Sequence, residues 1–558
     1  MRWLSCCAFL PLAACASGGA LPDGGGTTSQ GSTSGGRSTT GGAAGASGGS
    51  GGRASTGEPG GGTTGGGSSG GGSSGGSVGD AGLQTVSSLT KDGITWTFAA
   101  PVQAGQFVNG DYYVVGPVTV SAIDPPPNDP GLDAGVAYVN GSAVDLPAAD
   151  SKSPFDSRLE GNLVDWWFDP ALRAYPPLSL VPGDALVSSR SLGPGFLTDG
   201  GLPNIMRSGD LSASPVASDS VLTVLAAPAS PDAFRPSYCD RQQALFHAND
   251  LNRALLLSLP PPNPSAPNGT PTLATFEGYL RRPWIDLNPF LFDVPSEYMP
   301  DYGMEVALVD GYVALLLQLN FPAADKVNLT NYFVQYGIDL WGCVQIGYGW
   351  PAFGGHRSGR KLPILFAGAL LGNQDMQNVS ALYPNQFGED MQTVYVNAVP
   401  DAGTTTWEGA TVMYGGHYGV DADGTPVSAG LYGPYEQLQP TQWPTDPGDG
   451  NIQLGEAYRR CCTSIAWVGE ALAMRLLHLE SVWNYPAFFA YVDRWMYEPG
   501  DAQNVQTILS ETGYDYTASW EAEGQTAGFL QGEFPQYTFV DDMWHAYRGD
   551  GGTGDFGQ

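Results

Sequence analysis

Residues 324–346 read Ala324-Asp-Lys-Val-Asn-Leu-Thr-Asn-Tyr-Phe-Val-Gln-Tyr-Gly-Ile-Asp-Leu-Trp-Gly-Cys-Val-Gln-Ile346. Leu329, Phe333, Tyr336, Leu340 and Val344 recur at four, three, four and four residues, which is one apolar stripe of a helix. Just upstream, 307–319 is apolar nearly all round, so the 303–320 segment predicts a helix buried between layers. The same spacing runs through 242–259, 360–372, 455–479 and 486–496. Before about residue 227 the period is two. Ile94-Thr-Trp-Thr-Phe98 alternates apolar with polar, and Gln106-Phe107-Val108 enters an Asn109-Gly110 turn that leads into Tyr112-Tyr113-Val114-Val115, a hairpin signature. Val118-Thr-Val-Ser-Ala122 and Ser220-Val-Leu-Thr-Val-Leu225 add strands, and 179–188 has a strand–turn–strand sense.

The expected class is therefore multidomain α+β: an N-terminal β-sandwich over 83–235, then a mainly α-helical domain over 236–558. Long loops at 345–360 and 383–453 interrupt the helices, and loops of that length are usually functional. No fixed-period repeat is visible. Trp166, Trp167 and Phe168 read as core, with a sugar-stacking platform as the alternative.

Composition separates the chain into two parts. It has 558 residues, 79 glycines and a net charge of −32, from 55 acids against 23 bases. Residues 16–80 hold 28 of the glycines, while 81–558 carry 52 acids and 20 bases, the whole of the net charge. So acidic a body is a poor general binder of nucleic acid, which requires a surface rich in Lys and Arg.

At the N-terminus, Arg2 precedes an apolar run of about 12 residues, signal-peptide length and too short to span a bilayer. It ends in Leu12-Ala13-Ala14-Cys15, which resembles a bacterial lipobox. The resemblance implies that 1–15 is a lipoprotein signal, cleaved before Cys15, and that Cys15 is diacylated; an ordinary secretory signal is the alternative. Ala16 in place of Asp implies the outer membrane of the cell envelope. Residues 16–82 are a Gly/Ser-rich tether that cannot bury a core, with an end-to-end distance of roughly 40–50 Å. Gly45-Ala46-Ser47-Gly48-Gly49 and Gly66-Gly67-Ser68-Ser69-Gly70 match G-x-S-x-G but lack the strand–turn–helix setting of a nucleophile elbow.

Beyond the inner membrane disulfides are permitted, and Cys239, Cys343, Cys461 and Cys462 allow three pairings. Adjacent cysteines seldom bond each other without strain. With no C-x-x-C, no H-E-x-x-H and five scattered histidines, the reading is structural cysteine and no metal or cofactor.

Four clusters could carry chemistry. Gly354-Gly355-His356-Arg357-Ser358-Gly359-Arg360-Lys361 stands before an apolar helix, where glycines admit a ligand and a helix N-terminus favours anions. Tyr414-Gly415-Gly416-His417-Tyr418 suits stacking or proton transfer. Tyr458-Arg459-Arg460 opens a helix, and His247-Ala248-Asn249 lies on another. Structural readings stand beside each: salt bridges for the arginines, a turn for the Tyr414 segment, and a core histidine for His247. Glu389, Asp390, Glu408 and Glu436 could supply the acid pair of a glycosidase. Asp421-Ala-Asp423-Gly424 opens like a calcium loop but continues unlike one, and reads as a tight turn.

A secreted β-sandwich joined to a multi-helix domain, with a Tyr/His/Arg/Asn inventory and aromatic loops, resembles the toroid-type polysaccharide lyases over about 85–550. The resemblance implies an (α/α)-toroid-like helical domain and β-elimination on a uronic-acid polymer. It implies Tyr414, His356 and His417 as catalytic residues, and Arg357, Arg360, Asn249, Tyr458 and Arg459 as binders of the substrate. Here the β domain comes first, whereas many such lyases place it last. A glycoside hydrolase using two carboxylates and a non-catalytic glycan-binding envelope lipoprotein are the alternatives. The expected partners are a polysaccharide and the membrane, with the chain a monomer.

Overall fold

Alternation in Ile94-Thr-Trp-Thr-Phe98 becomes a strand that turns Ile94, Trp96 and Phe98 inward while Thr95 and Thr97 stay half-exposed. The computed structural model describes residues 82–127, 140–146, 170–191, 216–240, 242–262, 269–285, 299–300, 303–416, 433–445, 452–497, 501–516 and 538–548. The aromatic run at Trp166–Phe168 and the turn at 421–424 lie outside them. The architecture is mixed α+β.

Eight strands form one sheet: β1 (Gln84–Lys91), β2 (Ile94–Gln106), β3 (Tyr112–Val115), β4 (Val118–Asp124), β5 (Gly141–Val144), β6 (Leu178–Leu180), β7 (Ala185–Ser191) and β8 (Val216–Leu225). Their order is β5-β7-β8-β3-β2-β4-β6, with β1 also on β2. The expected β2–β3 hairpin is present, pairing Gln106 with Tyr112 across Asn109-Gly110, where Gly110 has φ 85°. β2 changes partner along its length: Thr95–Phe98 pair with β4 and Ala104–Gln106 with β3. Pro101 lies between these pairings and has no N–H to donate, so the strand can bend there.

The 179–188 segment holds two strands as read, but they pair with β4 and with β5 and β8, not with each other. Only four residues, Val181 to Asp184, join β6 at one edge to β7 near the other. Four residues reach at most about 14 Å, so the sheet must curl until its ends approach, which makes it a half-barrel. Trp96 Nε1 donates to Ser188 Oγ at 3.0 Å, from β2 to β7. Wrapped inside are Trp96, Val114, Val120, Leu180, Leu186 and Val224.

The helices follow the apolar stripes closely. Among the described residues, those longer than four residues are α1 (Leu273–Leu280), α2 (Gly303–Leu316), α3 (Val327–Gln345), α4 (Lys361–Leu371), α5 (Leu454–Tyr458), α6 (Ser464–Leu476), α7 (Pro486–Tyr497), α8 (Asp501–Thr512) and α9 (Thr538–Tyr547). Helix α2 is buried almost throughout, and Leu329, Phe333, Tyr336, Leu340 and Val344 all face the core from α3. Helix α4 ends on Gly372 at φ 66°, the left-handed cap glycine supplies at no steric cost. Helices α2 and α6 pack so closely that a Cβ on Gly311 or Gly469 would sit 2.9 Å from the other's Cα.

Two helical expectations are corrected. The 242–259 segment is not a helix but a loop with two 3-10 turns, Ala248–Asp250 and Arg253–Leu255. Its backbone groups are taken by tertiary partners: Asp240 accepts from the N–H groups of Gln242 and Ala244, Phe234 donates to Phe246 O, and Asn252 donates to Leu370 O. The 455–479 helix is interrupted by a π turn at Arg459–Thr463, an insertion that re-aims side chains.

Arg235 joins sheet to helices. Its guanidinium meets Asp111 of the β2–β3 turn and Asp339 of α3 at 2.6 Å each, and the Gln335 amide bonds both its N–H and its carbonyl. Cys239 and Cys343 are bonded across 104 residues, Cα–Cα 5.0 Å. The adjacent Cys461 and Cys462, expected not to pair, are bonded within the π turn.

Candidate functional site

The π turn sends Arg459 and Arg460 into the core. Glu456, one turn earlier on α5, receives both: Arg459 Nε at 2.8 Å and Nη2 at 3.0 Å, and Arg460 Nε at 2.5 Å. The Tyr435 hydroxyl donates to the same carboxylate. Arg460 also grips Asp501 bidentately, at 2.6 and 3.0 Å. On α7, Arg494 spans Glu436 at 2.7 Å and Glu408 at 2.9 Å, with Arg459 3.7 Å from Glu436. Burial alone would raise the Glu456 carboxyl, but Arg459 and Arg460 hold it down to about 2. Three arginines are thus committed to the protein's own carboxylates.

Tyr414 adjoins this network. It ends the short strand β10 (Val412–Tyr414), paired with β9 (Thr393–Tyr395), and its N–H donates to Glu436 at 2.5 Å. The phenol is fully buried, accepts from Gln392 Nε2 at 2.9 Å, and lies between Trp467 and Tyr491 with ring centroids near 6.5 Å. Burial pushes it well above the ordinary tyrosine range, and the neighbouring Tyr491 adds to that.

The 354–361 segment reaches the same region from the other side. Trp467 Nε1 donates to Ser358 Oγ at 3.0 Å, and Gly359 donates to Glu389, three residues from Gln392. Lys361 is buried against Asp390 at 2.5 Å, 4.5 Å from the Trp483 ring centroid. Arg360 is buried and donates to Ser358 O at 2.5 Å. His356 is nearly buried beside Phe353, over whose ring Arg357 also lies. The structure therefore brings Tyr414, Arg459, Tyr458 and the 354–361 segment into one buried neighbourhood. Asn249 is exposed on its 3-10 turn, near the end of α4 through Asn252. His417 and Cys15 lie outside the described residues.

An open groove lies elsewhere, between the 237–246 loop, the C-terminal half of α3 and the 373–383 turns. Its volume is about 530 Å³. Cys239, bonded to Cys343, and Gly342 line it, and a Cβ added at Gly342 would lie 2.3 Å from Ser237 Cβ. Trp341 and Tyr383 stand at 79° to each other, 5.8 Å between centroids. Gln242, Gln345, Asp240 and Asp375 supply polar groups, and among the described residues no lysine, arginine or histidine lines the groove. Asp240 is held by the N–H groups of Gln242 and Ala244, both at 2.7 Å.

Reading the sequence missed this groove. The available signal was Trp341 two residues before Cys343, outside the apolar stripe that runs from Leu329 to Val344.

Among the described residues, no cluster of three or more His, Cys, Asp or Glu is arranged to hold a metal ion, and no helix is long and apolar enough to cross a membrane. Comparison with protein-family models, curated proteins and solved structures finds no match.

Proposed function

We propose that the chain is a glycan-binding protein of the bacterial envelope, held at the outer membrane by lipid on Cys15 and by the 16–82 tether, and acting as a monomer. The sugar lies in the groove against the half-exposed Tyr383 ring, behind which Trp341 is buried. The observation that carries this reading is the pair of perpendicular rings beside amide and carboxylate side chains. A pyranose presents an apolar C–H face for an aromatic ring and a rim of hydroxyls for polar groups, and concave sites of this mixed lining are the usual ligand sites. Asp240 and Asp375 in the lining repel the carboxylates of a uronate polymer, which favours a neutral one. In finer architecture, the curled sheet takes the place of the sandwich module, and the helices around α2 and α6 form the toroid-like body.

The lyase reading has less support. A β-eliminating base must reach solvent-borne substrate and lose a proton, whereas the Tyr414 phenol is enclosed and held protonated, and Arg459 already neutralises Glu456. The test is calorimetric titration of the intact chain against neutral and uronate oligosaccharides. Binding of a neutral oligosaccharide, weakened by Tyr383→Ala and unchanged by Tyr414→Phe, is the expected result. Unsaturated product from a uronate polymer, lost in Tyr414→Phe, would replace this reading with the lyase.

A further inference from the structure

A cluster of acids that the glycan reading does not use lies in the helical core. Asp310 on α2 and Glu470 on α6 flank the Gly311–Gly469 contact, the closest point of that helix crossing. Glu389, from the short helical turn Gly388–Met391, completes the group, and all three side chains are fully buried. One Glu389 oxygen accepts the Gly359 N–H. Its second oxygen, and both oxygens of Glu470, have no hydrogen-bond partner.

Among the described residues, the charges acting most strongly on Glu470 are those of Glu389, Asp310, Asp390 and Lys361 of α4. That lysine is already paired with Asp390 at 2.5 Å. Glu389 and Glu470 thus lie among further acids, beside a lysine already engaged, and an unpaired buried carboxylate is far more costly than a neutral carboxyl. Two carboxyls in one such site do not both ionise near neutrality.

We infer that Glu389 and Glu470 hold a proton between them, and that losing it on the alkaline side loosens the α2–α6 crossing and the 354–361 segment clamped by Glu389. Burial pushes Glu389 up to about 7 and raises Glu470 in the same direction. A carboxyl whose native value is raised carries no penalty below the ordinary glutamate range. The penalty grows as pH climbs toward 7, so stability falls with rising pH. The device is independent of whether the groove binds glycan.

The test is urea unfolding of the intact chain between pH 5 and 8. The unfolding constant should rise on the order of a hundredfold across that range. Glu470→Gln keeps the shape and removes one ionisation, and should flatten the rise at least tenfold; Glu389→Gln should do the same. An undiminished rise in either folded variant overturns the proposal. Should neither variant fold, amide exchange in the wild-type chain decides. Exchange at 354–361 that accelerates above pH 7 beyond intrinsic base catalysis supports it, and exchange that merely tracks base catalysis overturns it. Recovery of wild-type stability at pH 8 on adding calcium or zinc ions also overturns it, because the cluster would then be a cation site.

Discussion

Around Glu456 and Glu436 three arginines and four carboxylates meet in the interior, whereas in the groove Asp240 and Asp375 stand beside Trp341 and Tyr383 with no base among the described lining residues. In the first region every formal cation has a partner on the same chain, so the charges hold helices in register. In the second, Asp240 is held by backbone N–H groups at an open groove, where a carboxylate can still accept from a ligand. The difference teaches that a basic cluster standing out against an acidic composition need not be a binding site. In a dry interior the surplus acids themselves are the anions that recruit the arginines.

The strongest challenge to this contrast is Arg494→Met. It strands Glu436 and Glu408 without their main counter-ion, and urea denaturation should show a loss of about 3–5 kcal/mol or failure to fold. A loss under about 1 kcal/mol, the range of exposed pairs, would mean that the network is not a structural element.

Next is the acid side. The Glu456 carboxyl, held near 2, contributes stability above the ordinary glutamate range and loses it as pH falls from about 4.5 toward 2. Unfolding of Glu456→Gln at pH 7 should cost about 3 kcal/mol, with a shallower acid limb than the wild type. This is opposite in sign to the Glu389–Glu470 pair, so the two buried regions should bound a stability maximum between them.

Gly469→Ala tests the helix crossing that supports both buried regions. Its Cβ would stand 2.9 Å from the Gly311 Cα, and overpacking of that kind costs about 1–3 kcal/mol, readable as a lower Tm. The smallest expected effect on stability is in the groove. Tyr383→Ala removes a half-exposed ring and should leave Tm nearly unchanged while weakening glycan binding about tenfold, equivalent to about 1.4 kcal/mol. If Tm falls as far as in Gly469→Ala, the ring is a packing element and the contrast fails.

Much of the fold was legible because its signals are local. The stripe from Leu329 to Val344 and the alternation at Ile94, Trp96 and Phe98 each follow one period, and the structure buries those residues. The 242–259 segment misled because its leucines also carry helical spacing, while Asp240, Phe234 and Leu370 capture the backbone groups that a helix would need. The π turn at Arg459 was invisible because a one-residue insertion leaves the apolar spacing nearly intact. Of the site, Tyr414 and Arg459 stood out in the sequence, but nothing local revealed that Glu456, Glu436 and Asp501 would enclose them.

The sequence by itself determined where most helices and strands lie, that a Gly/Ser-rich segment with few charges precedes an acidic body, and which bases run against their background. These depend on residues a few positions apart, where spacing and composition act directly. Only the tertiary structure decided that the sheet curls on itself, that the conspicuous arginines turn inward, and that the 237–246 loop, α3 and Tyr383 enclose a groove. Those outcomes depend on partners about 40 to 140 residues distant, such as Cys239 with Cys343, Arg494 with Glu436 and β6 with β4, and on whether water is excluded where they meet. Burial converts a charge from a surface for ligands into a fastener for the fold, and burial is a property of the packed chain, not of the local sequence.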